Sequence, residues 1–245
     1  MRSCFVGEGK MLTANYDLLE VKPGQKILDA GCGAGRHCFE AFRRGMHVYA
    51  LDYNLEEVKK VMYSLVGASD RDKENGGVWQ SLTGDVHNLP FADNYFDRII
   101  CSEVIEHTWQ DMTVLKELAR ILKPRGRIAI TTPTYFTEYA YDKLSPLYFT
   151  NPGGHIRKFL PRELASKIEM AGLKIYAVRF AHGYHSAYWL LRCIFGLENE
   201  KHPVVKAYRW ALVQTFYSRF MFKLEKLFDY ICPKSIIFYA WKPGQ

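Results

Sequence analysis

The stretch Ile27-Leu28-Asp29-Ala30-Gly31-Cys32-Gly33-Ala34-Gly35 decides how this chain folds. A short apolar run meets a cluster of glycines, and the amphipathic segment Gly35–Arg44 follows. That pattern is a strand turning into a helix. Glycines at such a turn let the backbone approach a ligand closely, and the helix start offers unpaired N–H groups to an anion. In an open parallel sheet the turn lies at the carboxyl ends of the strands, where ligands bind. The next apolar run ends in Asp52, 21 positions after Gly31. A carboxylate at that distance can accept both hydroxyls of a ribose. The dinucleotide fingerprint G-x-G-x-x-G is not met, because Arg36 stands where its third glycine belongs and that glycine is instead Gly35.

Outward from this turn, apolar runs alternate with amphipathic ones. Strands are expected at Lys26–Ala30, His47–Leu51, Trp79–Thr83, Arg98–Ser102 and Gly126–Thr132. Helices are expected at Gly35–Arg44, Leu55–Leu65 and Thr113–Leu122. The alternation predicts βαβ units, a parallel sheet and helices on both of its faces. Pro133 to Pro161 is rich in Tyr, Pro and Gly and reads as a long irregular segment of the kind that forms lids and binding loops. A helix over Pro161–Ala171 and strands over Leu173–Phe180 and Ser235–Lys242 complete the pattern.

The 245 residues carry a net charge of +7, with 48% hydrophobic and 24% charged residues. A chain this long buries about 70–75% of its unfolded surface, so it folds without disulfides or a structural metal. The balance excludes a disordered or collagenous chain. The longest charge-free stretches, Leu144 to Ile156 and Phe180 to Leu191, are well short of the ~20 apolar residues of a spanning helix. No apolar run follows the basic N-terminus, so no secretory signal is expected. The six cysteines contain no C-x-x-C pair, which fits a reduced cytoplasmic compartment. The positive charge permits nucleic acid or a lipid surface as partner without choosing between them.

Further motifs follow in order. They are Gly84-Asp85-Val86 after the third strand, Leu89-Pro90-Phe91-Ala92-Asp93-Asn94-Tyr95-Phe96-Asp97 before the fourth, and Leu118 to Arg127 leading into the fifth. Together with the glycine turn and Asp52, they resemble the class I S-adenosylmethionine-dependent methyltransferases. The nearest flavour is the methyltransferase type 11 or quinone-biosynthetic O-methyltransferase. The resemblance covers roughly Gln25 to Phe180 and the last strand. It implies an α/β fold with a Rossmann-like, seven-stranded, mostly parallel sheet. The last strand is antiparallel, helices cover both faces, and a helical insertion separates strands six and seven. Residues 1–245 then form a single domain, with 182–233 as an aromatic-rich insertion.

The resemblance implies S-adenosylmethionine as cofactor and S-adenosylhomocysteine as product. It places Asp29, Gly31, Gly33 and Gly35 at the methionine end, Asp52 and Tyr53 at the ribose, and Asp85 and Val86 at the adenine. Ser102 and Glu103 would line the methionine moiety. The chemistry agrees: the cofactor has a carboxylate for backbone N–H groups, a diol for one acid and an amine for another. Asp85 also suits a helix cap before Val86-His87-Asn88.

The catalytic candidates are Glu106, His107 and His155. Glu103, Glu106 and His107 cluster within one helical turn and could bind a divalent ion. They resemble a cluster that engages the acceptor oxygen in quinone-biosynthetic and small-RNA 2′-O-methyltransferases. The plainer reading has no metal, with Glu106 capping a turn. His107 is a candidate base for a hydroxyl, since an imidazole takes up a proton near neutral pH. His155 lies in Gly153-Gly154-His155-Ile156-Arg157-Lys158-Phe159-Leu160, which resembles the His-containing loop before the last helix of those enzymes. There is no [DN]-P-P-[YF] after strand four and no Pro-Cys nucleophile, which argues against base-methylating nucleic-acid enzymes.

His182 to Pro233 carries twelve Phe, Tyr and Trp residues, above the 15% share of the whole chain. Val205, Tyr208, Leu212, Phe216, Phe220, Leu224, Leu227 and Ile231 recur at helical spacing, interleaved with Lys206, Arg209, Arg219, Lys223 and Lys226. A basic amphipathic helix with Trp and Phe suits a membrane interface, while a stripe that faces a core or closes a pocket suits a lid. The function expected is methyl transfer, on oxygen, to a small apolar or lipid-like acceptor by a cytoplasmic enzyme. Residues 182–233 are then a lid over the acceptor pocket, a contact with the inner face of a membrane or a dimer contact, and nucleic acid is not the favoured partner. The alternatives are an RNA methyltransferase and a non-catalytic cofactor-binding protein attached to a membrane.

Overall fold

In a computed structural model, the structure describes residues 12–71, 76–145, 148, 154–197, 199, 201–215 and 219–244. Seven strands form one sheet: β1 (Lys26–Ala30), β2 (His47–Asp52), β3 (Val78–Thr83), β4 (Phe96–Ser102), β5 (Leu122–Pro133), β6 (Lys174–Ala181) and β7 (Ser235–Trp241). Their order is β3-β2-β1-β4-β5-β7-β6. The first five strands pair in parallel, and β7 runs antiparallel to both β5 and β6. The expected Rossmann-like sheet is what forms. Its order reverses between β1 and β4, which opens a crevice at their carboxyl ends.

The central strands are buried on both faces, so their sequences read as unbroken apolar runs. Ile27, Ile100 and Ala129 face one core with Phe42 of α1 (Arg36–Arg43) and Val61 of α2 (Leu55–Arg71). Leu28, Ile99 and Ile128 face the other, with Leu118 of α3 (Asp111–Ile121) and Ile168 of α5 (Pro161–Met170). Each such side chain contributes about 1.5–3 kcal/mol on burial. Tyr16 and Leu19, from the segment before β1, seal the first core at 2% and 0% exposure.

The segment expected to be irregular after β5 departs from that reading. Its first part forms α4 (Tyr135–Leu144). The stretch holds no Gly or Pro, and Thr137, Glu138 and Tyr141 recur at helical spacing and are buried. Tyr141 donates to the Ser186 carbonyl at 2.9 Å, which ties α4 to the insertion. Gly153 and most of its preceding loop lie outside the described residues. The strand expected from Gly126 starts earlier, at Leu122, and takes up Pro124 as an irregularity, with Arg125 at φ 63° and a register shift against β4.

The insertion consists of α6 (Gly183–Phe195), α7 (Pro203–Thr215) and α8 (Arg219–Ile231). The apolar stripe expected from Val205 to Ile231 does not form one face. Val205 and Leu212 are buried, but Phe220, Leu227 and Ile231 are 73%, 57% and 67% exposed. The described part of the stripe is divided between a helix ending at Thr215 and one starting at Arg219, and Phe216 lies outside the described residues. The inward side of α8 instead carries Asp229, 2% exposed, whose Oδ1 accepts the Gly183 N–H at 2.8 Å. Only glycine fits there, because a Cβ on residue 183 would strike the backbone of Phe228.

Candidate active site

The turn from β1 into α1 sits over the crevice. Gly31 holds φ 73° and donates to the Leu51 carbonyl at 2.8 Å, which locks the turn to β2. A Cβ at Gly31 would overlap the Val104 side chain. The Gly33 N–H donates to Asp52 Oδ2 at 2.9 Å, and Asn54 N–H to Oδ1 at 2.9 Å. Asp52 therefore joins the two loops that border the crevice. Asp29 is 3% exposed and accepts from Cys38 Sγ at 3.2 Å. Burial pushes its carboxyl up to about 6.

A cavity of about 930 Å³ opens here. Asp29, Gly31, Gly33, Asp52, Tyr53, Asp85, Val86, Ser102, Glu103 and His107 all line it. Gly35 does not, and instead starts α1 against Val61. Tyr53, 81% exposed, stands at the rim. Asp85 accepts from the His87 backbone at 2.9 Å and pairs with its Nδ1 at 2.6 Å, and these bonds hold it below the usual carboxylate range. His87 reaches Thr108 Oγ1 at 2.7 Å, so the loop after β3 is fastened to the opposite wall.

At the tip of β4, Glu103 takes φ 57°, a left-handed conformation uncommon outside glycine. Its N–H donates to the Thr131 carbonyl at 3.1 Å, and its carboxylate pairs with Lys234 at 3.4 Å. Burial opposes its charge, yet Lys234, Arg36 and His155 outweigh burial and lower it. Glu106 is 1% exposed, and neither carboxylate oxygen has a hydrogen-bond partner among the described residues. Burial, then the charge of Glu103, pushes its carboxyl well above the usual range. It does not cap the turn through its side chain; its backbone carbonyl accepts from Ile156 and Arg157 at 3.1 and 3.2 Å.

Those bonds bring the loop carrying His155 onto the Ile105–His107 turn. The His107 and His155 rings lie 5.0 Å apart, nearly perpendicular. Burial, then His155, lowers His107. His155 Nδ1 meets Glu138 Oε2 at 2.7 Å, and Tyr148 donates to Glu138 Oε1 at 3.0 Å. Ligand atoms of Glu106, His107 and His155 lie within 4.8 Å of one another, so His155 stands in the cluster where Glu103 was expected.

A model of a methyltransferase domain matches residues 28–130. The chain is 32% identical over 175 residues to a demethylmenaquinone methyltransferase of Corynebacterium kroppenstedtii, covering 64% of this chain and 71% of that protein. It is 31% identical over 173 residues to a ubiquinone biosynthesis O-methyltransferase of Aeromonas salmonicida, covering 67% and 68%. This chain belongs to the class I S-adenosylmethionine-dependent methyltransferases. Other curated relatives are matched over only 31%, 56% and 42% of their own length. A methyltransferase structure from Methanosarcina mazei shares the fold, with a TM-score of 0.64 at 17% identity over 96% of this chain and all of that one.

The cavity of this methyltransferase fits its cofactor. The space above Gly33, where a Cβ would meet nothing within 4 Å, leaves room for a ligand against the backbone. His37 lines the same cavity, is 2% exposed, and has both ring nitrogens unpartnered among the described residues. Burial holds it neutral, at about 3. Arg36 lines it too and donates to Ser102 Oγ at 3.4 Å. Arg36, His37 and Glu138 were missed from sequence. The first two are the opening residues of α1, a position from which side chains reach a helix-start ligand.

Proposed function

We propose that this methyltransferase methylates a hydroxyl oxygen of a small apolar or lipid-like acceptor, with His155 as the base. The observation that supports this most is the Glu138–His155 pair at 2.7 Å, against His107 on the cavity wall. Glu138 orients the ring through Nδ1, and its carboxylate would steady the charge of an imidazolium formed during transfer. Arg36, His37 and the Gly31–Gly33 turn would hold the amino-acid end of the cofactor, Asp52 its ribose and Asp85 its adenine. Bound S-adenosylmethionine supplies an activated methyl group on sulfur. The acceptor's O–H proton passes to His155 as its oxygen gains the methyl. Because the donor is already activated, orientation supplies much of the remaining rate.

The apolar acceptor is supported by the aromatic wall behind His155. Tyr148 lies 5.9 Å from the His155 ring and 5.7 Å from Trp189 of α6. The quinone-related names of the relatives point the same way. The insertion is the element that meets the membrane in this reading. On α8, Phe220, Leu227, Tyr230 and Ile231 face outward beside exposed Lys223, while Asp229 points in. Among the described residues no helix is long and apolar enough to cross a membrane, so the contact is interfacial.

The test is transfer of labelled methyl to a panel of prenylated catechols and hydroxyquinones by the wild-type protein and His155→Ala. The reading expects transfer that falls about 10²–10⁴-fold in the variant. Equal rates in both proteins would contradict it.

A further inference from the structure

A second cluster of metal-ligating side chains lies away from the cofactor cavity, where β6 hands over to the insertion. The chain enters α6 through His182, held at φ 66°. His185 follows three residues later, on the same side of the first turn. Glu225 reaches the pair from α8. One ligand atom of each residue lies within 4.8 Å of the other two. The imidazole rings are 5.4 Å apart.

The bonding around the cluster is incomplete in a telling way. His182 Nε2 is engaged by Thr13 Oγ1 at 3.0 Å, which leaves Nδ1 as its other coordinating atom. His185 Nδ1 is buried and has no hydrogen-bond partner among the described residues. Such an orphaned buried nitrogen is costly unless a ligand meets it. Burial disfavours the charged form of both imidazoles. Nearby cations oppose binding, but Lys226 pairs with Asp229 at 3.0 Å and Lys234 with Glu103 at 3.4 Å.

We propose that His182, His185 and Glu225 bind one divalent transition-metal ion that fastens α8 to α6. Two imidazoles and one carboxylate favour zinc over magnesium or calcium, which prefer all-oxygen shells. Three protein ligands leave a fourth position for water. The ion would reinforce the direct packing of α8 on α6, close to the Gly183–Asp229 bond. It would hold the exposed apolar face of α8 in a fixed orientation.

The experiment titrates the EDTA-treated full-length protein with Zn²⁺ by calorimetry and follows the melting temperature with and without the ion. Three variants accompany it: Glu225→Gln, His185→Ala, and Glu106→Gln/His155→Ala, which disarms the other cluster. Co²⁺ spectra test for thiolate ligation, since Cys232 is exposed. The expected result is one equivalent bound, a raised melting temperature and no thiolate band. Affinity should fall at least about tenfold in Glu225→Gln and in His185→Ala, and persist in the double variant. Glu225→Gln keeps the side chain's shape, so it reports on ligation even where His185→Ala fails to fold. Absence of Zn²⁺ binding by the wild type, or unchanged binding in Glu225→Gln, would overturn the proposal. Loss confined to the double variant would overturn it as well.

Discussion

Glu138 Oε2 lies 2.7 Å from His155 Nδ1, though the two residues come from a helix and a loop that share no local motif. Glu138 is 2% exposed and is held a second time by Tyr148. A carboxylate so placed fixes the ring's tautomer and orientation. Glu138→Gln should lower kcat about 10- to 100-fold while the cofactor Kd stays within about twofold. Steady-state kinetics alongside cofactor titration would show the split. An unchanged kcat would remove His155 from the role of base.

The glycine turn makes two different demands. Gly31→Ala should destabilise the fold by about 2–4 kcal/mol, from its left-handed backbone and its overlap with Val104. Adding Val104→Ala should recover part of that loss in urea unfolding. Gly33→Ala meets open space, so it should cost only about 1–2 kcal/mol of strain. Its main effect should be on cofactor affinity, because its Cβ would enter the cavity.

Asp29 links stability to pH. Burial raises its folded-state value to about 6, whereas an unfolded Asp titrates near 3.9. The folded state therefore holds this proton more tightly. Its destabilising contribution grows as pH rises from about 4 to about 6 and is complete above that. Asp29→Asn should stabilise the cofactor-free protein by about 1–3 kcal/mol at pH 7.5 and have little effect at pH 4. Urea unfolding at the two pH values would check this. Equal stabilisation at both would exclude the linkage.

How much of this was legible depended on whether the partners lie close in sequence. Gly31, Gly33 and Asp52 sit at the ends of successive strands, so spacing placed them on one rim, and the resemblance of Gly84-Asp85-Val86 to a family motif added Asp85. Glu138 was hidden because the aromatic run after Pro133 reads as loop, and its partner His155 is 17 positions away. Glu103 and Glu106 look like one carboxylate pair in sequence. Glu103's left-handed backbone turns it to Lys234, while Glu106 is buried with no hydrogen-bond partner among the described residues. The stripe from Val205 to Ile231 misled because periodicity alone does not tell a core-facing side from an outward one: Val205 and Leu212 are buried, while Phe220, Leu227 and Ile231 are exposed.

The outward face of α8 gives a binding prediction. Vesicles containing anionic lipid should carry the protein upward in a flotation gradient at low salt. Phe220→Ser/Ile231→Ser should abolish flotation, and Lys223→Glu should weaken it most at low ionic strength. Flotation that neither variant alters would place the membrane contact elsewhere on the surface.

The central claim is transfer of a methyl group to oxygen on an apolar acceptor. The most direct measurement incubates the full-length protein with methyl-labelled S-adenosylmethionine and prenylated catechols, then extracts into hexane and identifies the product by NMR. The account predicts label in the organic phase as an aryl methyl ether, reduced at least about tenfold by Glu138→Gln. Label on a ring carbon, or label found only on RNA or polar acceptors in the aqueous phase, would contradict it.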